Sequence, residues 1–239
     1  MGIDEHRMAS AWSPRALAGV LALALCGAGA HEAEAQIAGW YLGAAGGVAM
    51  TDGWQDFSDR TCNTLLSTDP LFTSCTYQLD ESGIAYKFFG GIRLTRNLGV
   101  EAGYAHLGTG GSDVDFVFDD EGWGNPSSQR MAAFYAALVA RADVTERVGL
   151  HAKVGAQRWK ADFDSSIQPP ASVSPPTFAH QSNDGVNLMF GAGVTVSVTE
   201  LVDVQLEWER FLGVGRPSTN HPTTDLNVDL ISVGARLKF

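Results

Sequence analysis

Nine charged residues fall at alternate positions within runs that are otherwise apolar or small: Lys87, Arg93, Glu101, Arg141, Lys153, Glu207, Glu209, Arg236 and Lys238. His151 follows the same pattern. Six bases that meet three acids and an imidazole can form ion pairs where water is scarce, because a buried charge needs a partner. The same set could line a narrow passage in which pairs exchange partners, and the surplus of bases would then favour anions. A second candidate is His180-Gln181-Ser182-Asn183. On a strand, His180 and Ser182 share a face, as a serine esterase and its base would require. No outward carboxylate that would complete a triad is evident, and a polar loop after Pro175-Pro176 accounts for these residues without chemistry.

Two further clusters carry chemistry of a simpler kind. Asp113, Asp115 and the run Asp119-Asp120-Glu121 could attract divalent cations, but the spacing of a calcium loop is missing and a solvated loop is expected. Cys62 and Cys75 have no histidine near them and are too few for zinc, so no metal and no cofactor is expected. In an exported chain the pair is read as a short-loop disulfide.

Export is indicated by the first 35 residues. Arg7 and Arg15 precede an apolar stretch, 16–26, followed by the small-residue sites Ala28-Gly29-Ala30 and Ala33-Glu34-Ala35. This is the layout of a cleaved signal peptide, 1–35, and the apolar stretch is too short for a spanning helix of about 20 residues. Without these residues the chain holds 23 acidic and 14 basic residues, a net charge of −9. Such a chain is a poor partner for nucleic acid, which selects positive surface.

Eight segments alternate apolar and small or polar residues with a period of two: about 39–48, 83–94, 98–107, 130–142, 147–161, 186–198, 202–212 and 227–239. In Val186–Val198 the even positions are Val, Leu, Phe, Ala, Val, Val and Val, whereas the odd ones are mostly Gly, Asn, Thr and Ser. The charged set listed above lies on the polar side of these strands. A soluble eight-stranded carrier would put its apolar face inward. Here the polar face holds both signs of charge and the other face almost none, which fits lipid outside and a polar interior. Trp40, Tyr86, Trp159, Trp208 and Phe239 are expected at the membrane interfaces.

Connections alternate in length. The turns at 95–97, 143–146 and 199–201 are short, whereas 49–82, 108–129, 162–184 and 213–226 read as long loops. Prolines are expected in these loops and not in the barrel strands. The fold class is therefore all-β: one eight-stranded antiparallel up-and-down transmembrane barrel over 36–239, with both ends on the periplasmic side.

The opening Trp40-Tyr41-Leu42-Gly43-Ala44 and the closing stretch 230–239, ending in Phe239, resemble the OmpA/OmpX-type outer membrane β-barrel proteins. The resemblance covers the mature chain but not the peptidoglycan-binding domain that OmpA carries. It implies that Phe239 is the signal read by the barrel assembly machinery, that the protein sits in outer-membrane lipid and lipopolysaccharide, and that a monomer is formed. It also implies a structural or surface-contact role through the loops, with a small low-conductance porin as the alternative. The His-x-Ser-Asn fragment resembles the motif of outer-membrane lipid A 3-O-deacylases, although there it lies close to the last strands. Catalysis is not expected.

Overall fold

The structure, a computed structural model, describes residues 39–170, 174–215 and 226–239. The expected signal peptide lies outside these residues, as does most of the last long connection.

Ten elements follow in order: β1 (Trp40–Asp52), α1 (Trp54–Thr68), β2 (Phe72–Asp80), β3 (Ser82–Arg93), β4 (Leu98–Phe118), β5 (Glu121–Asp143), β6 (Val148–Ile167), β7 (Thr177–Ser197), β8 (Val202–Phe211) and β9 (Asn227–Lys238). All strand pairs are antiparallel. Eight strands close a ring in the order β1, β3, β4, β5, β6, β7, β8, β9, and β9 returns to β1. β2 stands outside the ring. It pairs with the upper part of β4, from Gly111 to Phe118, above the level where β3 leaves β4 at His106.

The alternation decides which way the sheet faces. Even-numbered apolar residues such as Ile84, Phe134, Leu188 and Val194 are exposed, while Lys87, Glu101, Lys153 and Glu207 are buried. In water that arrangement would leave a wide apolar belt unburied; around a barrel in lipid it satisfies both faces.

The three short turns share one construction. Thr95, Thr145 and Thr199 each accept, through Oγ1, the backbone N–H groups two and three residues on. In each turn, the residue three beyond the threonine gives its carbonyl to the threonine N–H and to the N–H just before it. The local sequences are Leu-Thr-Arg-Asn-Leu, Val-Thr-Glu-Arg-Val and Val-Thr-Glu-Leu-Val. A side-chain-closed turn of this kind fixes the register of the hairpin that it joins.

The opposite end corrects the expectation of long irregular loops. β4 and β5 continue as a hairpin to a two-residue turn at Asp119-Asp120, both with positive φ (51° and 62°). That is the mirror-image turn that suits the strand twist, and Asp is among the residues that tolerate it. β6 and β7 likewise run on to Ile167 and Thr177. The first connection holds α1 and β2, joined by the disulfide Cys62–Cys75, with Cα atoms 5.5 Å apart. Tyr77 Oη also donates to Asp59 Oδ1 across the same pair of elements at 2.6 Å, and this bond to the carboxylate raises the phenol pKa above its usual value.

Two more expectations need correction. Pro126 lies within β5, where the ladder to β6 is interrupted between the Gly124–Gln168 bridge and Ser127, so its missing N–H breaks no continuous pairing. Trp159 is buried in the lumen and not at a lipid interface. It has the parity of Lys153 and Gln157, and parity decides the face.

Candidate functional site in and above the lumen

The lumen is built in three levels. At its centre, Lys87 from β3 bridges Glu207 and Glu209 of β8, the latter at 2.5 Å. Lys153 from β6 contacts Glu101 and Glu207, each at 2.7 Å, and Glu209 at 3.2 Å. His151 Nε2 lies 2.6 Å from Glu207 Oε1, and its Nδ1 lies 3.2 Å from Thr195 Oγ1. Tyr41 and Tyr135 each donate to Glu101 at 3.0 Å, and Gln205 donates to Glu207 at 2.7 Å. Two lysines thus face three glutamates, with the His151 ring beside Glu207. The lysine and glutamate side chains here are at most 4% exposed, so bulk water does not reach them. Glycine makes the crowding possible. A Cβ on Gly193 would lie 2.7 Å from Glu207 Cγ and 2.8 Å from His151 Cε1, and one on Gly91 would strike the Tyr41 ring.

Above this level, on the side of the long strands, the lumen is mostly apolar, with Gln129 and Gln157 buried among the apolar residues. Leu107, Met131, Trp159, Met189, Phe211, Val214, Val228 and Leu230 form one buried cluster. α1 closes the top: Trp54 is fully buried, lies against Leu226 and stacks on Phe163 at 6.4 Å.

Below the centre, on the side of the short turns, Arg236 and Lys238 share Asp203, at 2.7–2.8 Å. Arg93 and Arg141 point to the same mouth, and Arg96 reaches it from the first short turn. The nine charges lie in two groups: Lys87, Glu101, Lys153, Glu207 and Glu209 buried at the centre, and Arg93, Arg141, Arg236 and Lys238 at the turn-side mouth. Alternation already put Tyr135 and Thr195 on the inward face, whereas Asp203 and Tyr41 were missed. Asp203 has the parity of Glu207, four residues on, and Tyr41 alternates with the outward Trp40 and Leu42, so the signal for both was present.

The outer wall above the lipid belt carries a second charge pattern. On β5, β6 and β7, Arg158 faces Asp184 at 3.5 Å, Arg130 faces Asp164 at 3.4 Å, and Lys160 approaches Asp162 at 3.2 Å, all substantially exposed. His180 and Ser182 belong to this surface. His180 Nδ1 lies 2.7 Å from Asp164 Oδ1, and this contact holds the Asp164 carboxyl below the usual carboxylate range. So an outward carboxylate does stand beside His180, contrary to the reading of the sequence. Ser182, however, hydrogen-bonds Asp162, which is lowered in turn chiefly by that bond. A nucleophile requires its hydroxyl on the base, and here the two side chains are each held by a different aspartate.

Farther out, Phe72, Phe116, Phe118 and Trp123 cluster with ring centroids 4.8–6.3 Å apart at the end of β2, β4 and β5. Segments 49–82 and 108–129 hold eleven acidic residues and one base, Arg60. Among the described residues no group of three or more His, Cys, Asp or Glu is placed to hold a metal ion.

A closed eight-stranded ring, apolar outside and ionic within, is the architecture of a membrane-spanning β-barrel. The chain belongs to the family described as the outer membrane protein beta-barrel domain, which it matches over residues 18–239, and its place is the bacterial outer membrane. Solved structures of the same fold include neisserial surface protein A, with 14% identity over 84% of this chain and 97% of that one, at a TM-score of 0.50. The attachment invasion locus protein Ail of Yersinia pestis, solved with the heparin analogue sucrose octasulfate, has 13% identity over 84% and 99%, at 0.47. The N-terminal barrel domain of Pseudomonas aeruginosa OprF has 13% identity over 84% and 97%, at 0.35. No curated protein sequence matches the chain.

Proposed function

We propose that this barrel is a monomeric, non-catalytic surface protein whose work is done by the sheet that stands outside the lipid, and that its lumen does not conduct. The observation that carries this reading is the division of the molecule. The lumen is filled by interlocked ion pairs under an apolar plug, whereas β2 and the upper parts of β4 to β7 present a large exposed sheet. That sheet bears an aromatic cluster, and segments 49–82 and 108–129, which run through and beside it, hold eleven acids against one base. Half-exposed aromatic rings beside carboxylates suit a partner with a basic surface, through charge attraction and cation–π contact. The outer ion pairs on β5–β7 lie at the height of lipid headgroups and would contact lipopolysaccharide. Phe239, which donates to Trp40 at the β1–β9 seam, would serve as the assembly signal.

The test is adhesion. Cells that display the protein should bind immobilised basic proteins. Replacing Asp113, Asp115, Asp119, Asp120 and Glu121 with their amides should remove most of that binding at low salt. Equal binding by the two forms, or ion channels from the purified protein in planar bilayers, would overturn the reading.

A further inference from the structure

The turn-side mouth of the lumen is unlike the centre above it. One small pocket, of about 20 Å³, is lined by Arg93, Arg96, Arg141 and Arg236 together with Tyr41 and Val139. Four guanidinium groups therefore converge from β3, the β3–β4 turn, β5 and β9. One acid answers them directly: Asp203 takes Arg236 through Nε and Nη2 and is shared further with Lys238 and Ser197. Arg236 is also fixed from the other side, with its guanidinium 5.2 Å from the Tyr41 ring centre. Among the described residues, Arg93, Arg96 and Arg141 have no side-chain hydrogen bond or ion pair. Asp143 and Asp203 act on Arg141 only at longer range. Arg93 and Arg141 are half-buried, so neither is a freely solvated surface charge.

We propose that this mouth is a binding site for a phosphate-type oxyanion presented from the periplasm. Half-buried like charges without counter-ions are unfavourable, and an anion that joins them removes the repulsion. The guanidinium fork matches the paired oxygens of phosphate groups. The pocket admits about one water-sized group, so one oxygen of the anion enters and the rest of the molecule stays outside. Phe89, Tyr135 and the closed lysine–glutamate network lie immediately above, which makes the site a terminus and not the start of a passage. The bound phosphate could be that of a soluble molecule or of an inner-leaflet lipid headgroup, since both offer the same oxygens.

The two sources are separable with the intact protein folded in a non-ionic detergent. The arginine Nε–H signals of Arg93 and Arg141 are followed by NMR, first against inorganic phosphate and then against phosphatidylglycerol mixed into the micelles, with chloride holding ionic strength constant. Saturable shifts with phosphate would assign a soluble anion; shifts with the lipid alone would assign the headgroup. In either case R93Q/R141Q should weaken binding at least tenfold while keeping the heat-modifiable mobility of a folded barrel. No saturable shift with either ligand, or undiminished binding by the folded double variant, would overturn the proposal.

Discussion

β6 carries two lysines seven residues apart that live in different worlds. Lys153 is fully buried and touches three glutamates; Lys160 is 64% exposed and touches one aspartate. The strand, the residue type and the kind of partner are the same, so the contrast isolates the surroundings. In the lumen, removing one partner strands the others without solvent, whereas on the outer wall water and salt replace a lost partner. The distances differ far less than the consequences: ion-pair geometry alone does not say what a pair is worth.

The largest effect should therefore come from the centre. Lys153→Met should destabilise the barrel by about 3–5 kcal/mol, the range for breaking a buried pair and leaving its partners charged, as read from urea unfolding of the refolded protein in detergent. A loss below about 1 kcal/mol would mean that water enters the network after all. Gly47→Ala tests crowding: its Cβ would sit 1.9 Å from the Ile231 carbonyl oxygen, and overpacking of this kind should cost about 1–3 kcal/mol. If it is silent, β1 and β9 are looser at the seam than their register indicates. Thr145→Ala removes the hydroxyl that closes one short turn and should cost about 1 kcal/mol, seen in unfolding and in the hairpin's amide exchange.

On the outer wall Arg158→Ala should change stability by no more than about 0.5 kcal/mol. The smallest effect is the pH response there. Asp164 is held below its unfolded pKa by His180, so its contribution is present above about pH 4. It is lost as pH falls through the lower folded value. A carbon-detected titration of the Asp164 carboxyl should show the depressed midpoint, and His180→Ala should return it to the ordinary range. An unshifted midpoint would remove the His180–Asp164 contact from the picture.

Most of the barrel was legible because lipid imposes a period of two on every strand. Val186–Val198 could be read residue by residue, and the short turns were placed within a residue or so. The extracellular half was not legible for a physical reason. Above the lipid both faces of a strand meet water or a loosely packed interior, so 177–185 and 121–129 show no apolar stripe. Segment 113–118 does alternate, as Asp-Val-Asp-Phe-Val-Phe, but its turn is Asp-Asp without the glycine that usually marks a hairpin. α1 was hidden for another reason: its inward face is only Trp54, Ser58 and Cys62, too sparse a pattern for a helix on amphipathicity alone. At the candidate site, the inward charges followed from parity. Their separation into a closed centre and an arginine-rich mouth depends on which strands are neighbours around the ring, and alternation along one strand carries no such information.

The extended strands have a consequence for what the outside world can see. β5 has 23 residues. At a rise of about 3.4 Å and a tilt near 40°, it spans roughly 55 Å along the membrane normal, against an apolar band of about 25 Å. The Asp119-Asp120 turn thus stands some 25–30 Å clear of the hydrocarbon. An epitope at that height projects into or beyond a short saccharide coat, while the flanks of β8 and β9 stay beneath it. Among the described residues, antibodies and phage should then meet the acidic β4–β5 hairpin and the neighbouring β6–β7 hairpin first.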